Sequence, residues 1–170
     1  MNTYKKLSLI FFLATIGTCG TNSSFGQDSK NEKKEKEEAE IKNLIDSQNF
    51  VFKAQIAYPL GSRSRQLTPE YDLRITKNEV VSDLPYFGRA YSSTPGASGG
   101  LDFNSKDFEY TVKEKKDDGW EIHIKPKDTQ KARELFLTAF KNGSANLQVS
   151  SNDKQNISFS GYITAIKSNK

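Results

Sequence analysis

Cysteine and histidine are almost missing from this chain. Its 170 residues hold one of each, Cys19 and His123. A lone histidine without a set of cysteines does not build a zinc site, and one thiol makes no internal disulfide. The same scarcity removes the commonest nucleophile–base pairs, Ser–His and Cys–His. No spaced acidic loop resembles a calcium hand, and no cofactor is expected. Long hydrophobic runs are also lacking. The one apolar run, Leu7 to Ile16, is too short to cross a bilayer as a stable anchor. An excess of one charge is missing as well, since 25 Lys and Arg stand against 21 Asp and Glu, for a net +4.

What stands at the N-terminus is an address. Lys5 and Lys6 precede the apolar run, and polar residues follow it, which is the pattern of a secretory signal. Ser24-Phe25-Gly26 places small residues at the −3 and −1 positions, so residues 1–26 are read as a signal peptide cleaved before Gln27. Lipidation at Cys19 is the alternative, but Thr18 is bulkier than the small residue such a site prefers. Cleavage after Gly26 would leave no cysteine and, with Lys5 and Lys6 gone, bring the net charge from +4 to +2. That balance does not suit a nucleic-acid binder. The expected address is periplasmic or secreted, or the outer membrane if Cys19 is lipidated. Membrane association is expected only in that lipidated case.

Residues 27–40 form a charged leader of mixed sign, read as a solvated spacer. Ile41, Leu44, Ile45 and Gln48 then fall at i, i+3, i+4 and i+7, predicting a helix whose C-terminal half docks on the body. From Phe50 onward alternation dominates. Phe50, Phe52, Ala54, Ile56 and Tyr58 share one face, as do Phe108, Tyr110 and Val112. So do Trp120, Ile122 and Ile124, then Ala145, Leu147 and Val149, then Ile157, Phe159 and Ile163. Lys77-Asn78, Asp118-Gly119 and Asn142-Gly143 read as hairpin turns. Leu135 and Leu137 oppose Phe136 and Phe140, so that strand is expected to be covered on both faces, with the helix as candidate cover. These patterns predict a mainly β (α+β) chain. An N-terminal helix is followed by a curled antiparallel meander of seven to eight strands, barrel- or roll-like, in one domain over residues 41–166. The expected core contains Phe52, Ile56, Tyr110, Trp120, Ile122, Leu147, Phe159 and Ile163, with His123 on the solvent face.

Two catalytic motifs appear and fail on context. Gly96-Ala97-Ser98-Gly99-Gly100 matches G-x-S-x-G, but that serine works on a strand–turn–helix elbow, and this one lies in loop composition. Ser151-Asn152-Asp153-Lys154 matches S-x-x-K, yet it reads as a polar hairpin turn. Asp83, Asp102 and Asp107 are the carboxylates a loop-built site could draw on. Arg63 and Arg65 form a weak anion-clamp candidate.

The one specialised stretch is LPYFGRAYSSTPGASGGLDF, Leu84 to Phe103. Tyr86, Phe87 and Tyr91 can bury large areas, Arg89 can stack among them, and Gly88 can admit an unusual backbone. A long loop in a compact domain is either functional or packed on its own side chains. Tyr86, Phe87, Arg89, Tyr91 and Asp102 are therefore the candidate loop anchors or binding surface. With GGLDFNSKDFEYTV, GWEI and NGSANLQVSSNDKQNISFSGYI, the LPYFGRAY segment makes the chain resemble the exported bacterial envelope proteins of domain-of-unknown-function family 4251. The resemblance implies an envelope protein and supplies no activity. The function expected is that of a non-catalytic binding or structural domain serving an envelope protein or small ligand. The alternative is a hydrolase or other enzyme with a site near Arg89 and Asp102.

Overall fold

The computed structural model describes residues 25–68, 70–91, 99–115 and 119–167, with side chains from residue 31 onward. Residues 1–24 of the signal segment, Cys19 among them, and Ser98 lie outside them. Helix α1 runs Phe25–Asp46, and ten strands follow: β1 Phe50–Pro59, β2 Arg65–Gln66, β3 Asp72–Ile75, β4 Val80–Asp83 and β5 Phe103–Ser105. Next come β6 Phe108–Lys115, β7 Gly119–Pro126, β8 Glu134–Ala139, β9 Ser144–Ser150 and β10 Ile157–Thr164.

All the strands pair antiparallel in one sheet of order β5-β4-β3-β1-β10-β9-β8-β7-β6, with β2 a short addition to β1. The two outer members, β5 and β6, are consecutive in the chain, so the sheet curls into a nearly closed barrel. Curling is what accumulated strand twist produces when a meander is long enough, and it hides the edges. At the seam the Asp128 carboxylate accepts the backbone N–H of Lys106 at 2.8 Å and of Asp107 at 3.2 Å, and the Ser105 hydroxyl. The Lys127 N–H donates to the Asp107 carbonyl at 2.8 Å.

The interior is packed with apolar side chains. Phe50, Phe52, Leu73, Ile75, Ile122, Ile124, Leu135, Leu137 and Leu147 have no exposed surface. Trp120, Phe159 and Ile163 join them as expected. Tyr110 is partly buried, and its hydroxyl donates to the Ile45 carbonyl at 3.1 Å. The C-terminal turns of α1 lie across one end of the barrel, with Ile41 and Ile45 in the core against Gly143 and its neighbours. Lys42 approaches Glu114 at 3.7 Å and Lys141 pairs with Glu38 at 2.7 Å. Gln48 is not part of the helical stripe: it follows the helix with φ 52°, a left-handed cap, and the Asn49 N–H closes the end on the Leu44 carbonyl.

β1 departs from simple alternation. Its register against β10 shifts between Ala54 and Ile56, a β-bulge that reverses which side chains face inward. Ala57 and Pro59 are therefore buried, whereas Ile56 is only partly buried and Tyr58 is 46% exposed. Gly161 of β10 faces this bulge, and a Cβ there would lie 1.9 Å from the Lys53 carbonyl oxygen. The hairpin at Gly143 (φ 79°) stands where expected. β6 and β7 pair antiparallel as expected, but Gly119 (φ 118°) is already the first residue of β7, opposite Lys115, and Asp118 lies outside the described residues. The helix does not cover the outer face of β8. Phe136 instead stacks on His123, centroids 4.4 Å apart and planes within 3°.

Candidate functional site

The specialised loop is the connection of the β4–β5 hairpin, and it leaves the barrel at the end opposite α1. Its neck is tied by the Leu101 N–H donating to the Leu84 carbonyl at 2.8 Å. Leu84 and Leu101 are buried at 2% and 1% exposure, so both ends of the loop enter the core.

Beyond the neck the chain lies along residues 153–155, between β9 and β10. The Tyr91 N–H donates to the Asp153 carbonyl at 2.7 Å, Gln155 donates back to Arg89 at 3.1 Å, and Ala90 bridges Lys154. The Tyr86 hydroxyl stands between two carbonyls, Arg89 at 2.8 Å and Gln155 at 3.0 Å, and its single proton can serve either. Burial pushes the Tyr86 phenol above its ordinary pKa, outweighing the hydrogen bond to Gln155, and the nearby Tyr91 and Asp153 push the same way. The group is therefore a neutral donor rather than a base.

Lys154 lies beneath. It is 8% exposed, donates to the Gly100 carbonyl at 3.0 Å and sits 5.2 Å from the centroid of the Tyr86 ring. An ammonium against an aromatic face and a carbonyl keeps interactions that offset lost hydration. Phe87 is half-buried and takes the Arg65 guanidinium at 4.7 Å on its ring. Gly88 has no positive φ. It is needed for space, because a Cβ there would lie 2.4 Å from the Tyr86 hydroxyl.

The candidate residues thus separate. Tyr86 and Phe87 pack against the core. Tyr91 does not anchor by its side chain, which is 71% exposed. Arg89 is exposed too, and the cation over Tyr86 is Lys154 instead. Arg89 and Tyr91 hold the loop through their backbones, in the short antiparallel pairing with Asp153 and Gln155. Asp102 bonds Lys131 at 2.8 Å. Arg65 is drawn to Phe87, while Arg63 is exposed in the turn before β2. Lys154, Gln155 and Asp128 carry much of the closure, yet a lysine, a glutamine and an aspartate in polar turns give no pattern to find them by. Among the described residues no three His, Cys, Asp or Glu gather as a metal site, and no helix is long and apolar enough to cross a membrane.

A helix-capped, nearly closed antiparallel barrel is the class this fold defines. A family model for a domain of unknown function, DUF4251, matches residues 32–163, and the chain belongs to that family. It is similar in fold to a DUF4251 family protein from Bacteroides eggerthii DSM 20697, known from a crystal structure at 1.95 Å resolution. The TM-score is 0.57 at 12% identity, over 76% of this chain and 87% of that one. None of the curated proteins matches.

Proposed function

We propose that the chain is an exported cell-envelope protein whose barrel is a non-catalytic binding or structural domain. The observation that carries this reading is the use made of the loop richest in reactive side chains. Tyr86 is held between the Arg89 and Gln155 carbonyls, and Lys154 on the Gly100 carbonyl. These groups close the end of a filled barrel. The Lys5-Lys6 pair and the apolar run behind it support export, and Ser24-Phe25-Gly26 supports release before Gln27, with lipidation at Cys19 as the variant of the same address.

Two measurements test it. Cell fractionation with N-terminal mass analysis should find a chain beginning at Gln27, or a lipidated one beginning at Cys19, in the envelope fractions. An intact chain in the cytoplasm would overturn export. Purified protein should leave chromogenic esters, phosphates and glycosides unhydrolysed. Turnover abolished by Arg89→Ala and Asp102→Asn would overturn the non-catalytic half.

A further inference from the structure

The outer face of β7 to β10 is built unlike the rest of the surface. Strand register places two rows across it. One row runs His123, Phe136, Gln148, Ser158 and, on β1, Tyr58. The next runs Glu121, Thr138, Asn146 and Ser160. In a chain that is 27% charged, Glu121 is the one charged residue that β7 to β10 place in these rows; Lys113 of β6 is its cross-strand partner, and Lys125 follows two residues after His123 on β7. The remainder are amides, hydroxyls and rings. A depression of about 370 Å³ runs over them, lined by Glu121, Phe136, Thr138, Asn146, Gln148 and Ser158.

The ring geometry gives this depression a wall. His123 and Phe136 are cross-strand partners whose rings are parallel and 4.4 Å apart, close to the strand spacing. The ring normals therefore run across the strands, so both rings stand on edge above the sheet. His123 covers one face of Phe136, and the other looks over β9 and β10. Phe136 is 36% exposed. Three strands away stands Tyr58, 46% exposed, with its hydroxyl 3.4 Å from Ser160. That is a separation of about 14 Å at ordinary strand spacing. Gln148, Asn146, Ser158 and Ser160 floor the strip between the two rings.

We infer that this face is a binding site for a neutral glycan chain. The inference rests on the binding half of the function proposed above and gives it a ligand class. The chemistry selects the occupant. An anionic ligand would need cations between the two rings, and β8, β9 and β10 place none in these rows. An extended peptide would need an open strand edge, but β7, β8, β9 and β10 are each paired on both sides. A second copy would need an apolar centre, and here the rings are separated by polar groups. A pyranose fits all three features. Its C–H face carries partial positive charge and stacks on the negative face of an aromatic ring. Its neighbouring hydroxyls each donate and accept, as do the amides of Asn146 and Gln148. Phe136 is already held by His123, so little ordering is needed on binding.

The test is native affinity electrophoresis of the purified chain in gels cast with dextran, yeast mannan, starch or glucomannan, alongside dextran sulfate. At least one neutral polysaccharide should retard the protein, and dextran sulfate should not do so preferentially. Phe136→Ala should weaken retardation roughly tenfold, the worth of one stacked ring. Asn146→Ala with Gln148→Ala should weaken it by a similar factor. These amides are exposed, so their loss leaves the fold intact even if Phe136→Ala does not. Lys42→Ala, on α1, should change nothing. The inference is overturned by no retardation in any neutral gel, or by retardation that the amide double variant leaves unchanged. Self-association by light scattering that depends on Phe136, without glycan retardation, would overturn it in favour of a second copy. Fractionation and turnover assays report on export and catalysis and not on this face, so each reading can fail separately.

Discussion

The Tyr86 hydroxyl lies 3.0 Å from the carbonyl oxygen of Gln155, 69 positions away in the chain. This contact joins the β4–β5 loop to the β9–β10 turn, two segments from distant parts of the sheet order. Around it Lys154 reaches back to Gly100, and the Tyr91 and Gln155 amides complete a short antiparallel pairing. The two described ends of the loop, residues 84–91 and 99–101, are thus fixed over one end of the barrel, as α1 is over the other.

Lys154 should be a stabilising residue despite its charge. Its ammonium has a carbonyl and a ring for partners, and its stem is buried. Lys154→Ala should cost about 2 kcal/mol in urea unfolding, the usual worth of a hydrogen bond to a charged group. Lys106→Ala, at an exposed lysine, should lie within about 0.5 kcal/mol of the parent.

The seam should be sensitive to acid. The Ser105 hydroxyl above all, and then the Lys106 and Asp107 amides, hold the Asp128 carboxyl below the usual carboxylate range. Its pKa is then lower in the folded than in the unfolded chain. The contribution to stability is complete above the unfolded value, about 3.9, and is lost as pH falls through the folded one. The melting temperature of Asp128→Asn should fall below that of the parent at neutral pH, and the gap should close in strong acid. A gap that is the same in acid would show that ionisation of Asp128 contributes nothing.

Gly161 should be intolerant of a side chain. The methyl of Gly161→Ala would meet the Lys53 carbonyl of the neighbouring strand at 1.9 Å, and backbone cannot swing aside as a side-chain tip can. Either the β1 bulge or the β1–β10 pairing must shift, at a cost of roughly 1–3 kcal/mol. Chemical denaturation measures this directly, and a parent-like midpoint would contradict the close approach.

Much of the barrel was legible because one buried face enforces period two. Trp120, Ile122, Leu147, Phe159 and Ile163 all face inward as their parity requires. Parity failed at Ile56, since a bulge is a relation between two strands and leaves no mark within β1. β2 and β5, with two and three residues, are too short to show a period. Phe136 was legible as an apolar residue on the wrong face, but its partner is His123 and not the helix. In the loop, aromatic density pointed to Tyr86 and Phe87. The same density misplaced Tyr91 and Arg89, because side-chain type does not say which residues contribute only their backbone. Lys154 was hidden by its own chemistry, a lysine in a polar turn reading as solvated until its burial is seen.

The central claim is that residues 84–91 fasten the barrel, and thermal unfolding of tyrosine variants tests it most directly. Tyr86→Ala should lose about 3 kcal/mol, as truncation of a packed aromatic does. Tyr86→Phe should lose about 1 kcal/mol for the hydroxyl alone, and Tyr91→Ala should stay within about 0.5 kcal/mol of the parent. That order, with Tyr86→Ala lowest and Tyr91→Ala unchanged, is the result the account predicts. Tyr86→Ala melting with the parent protein would contradict it.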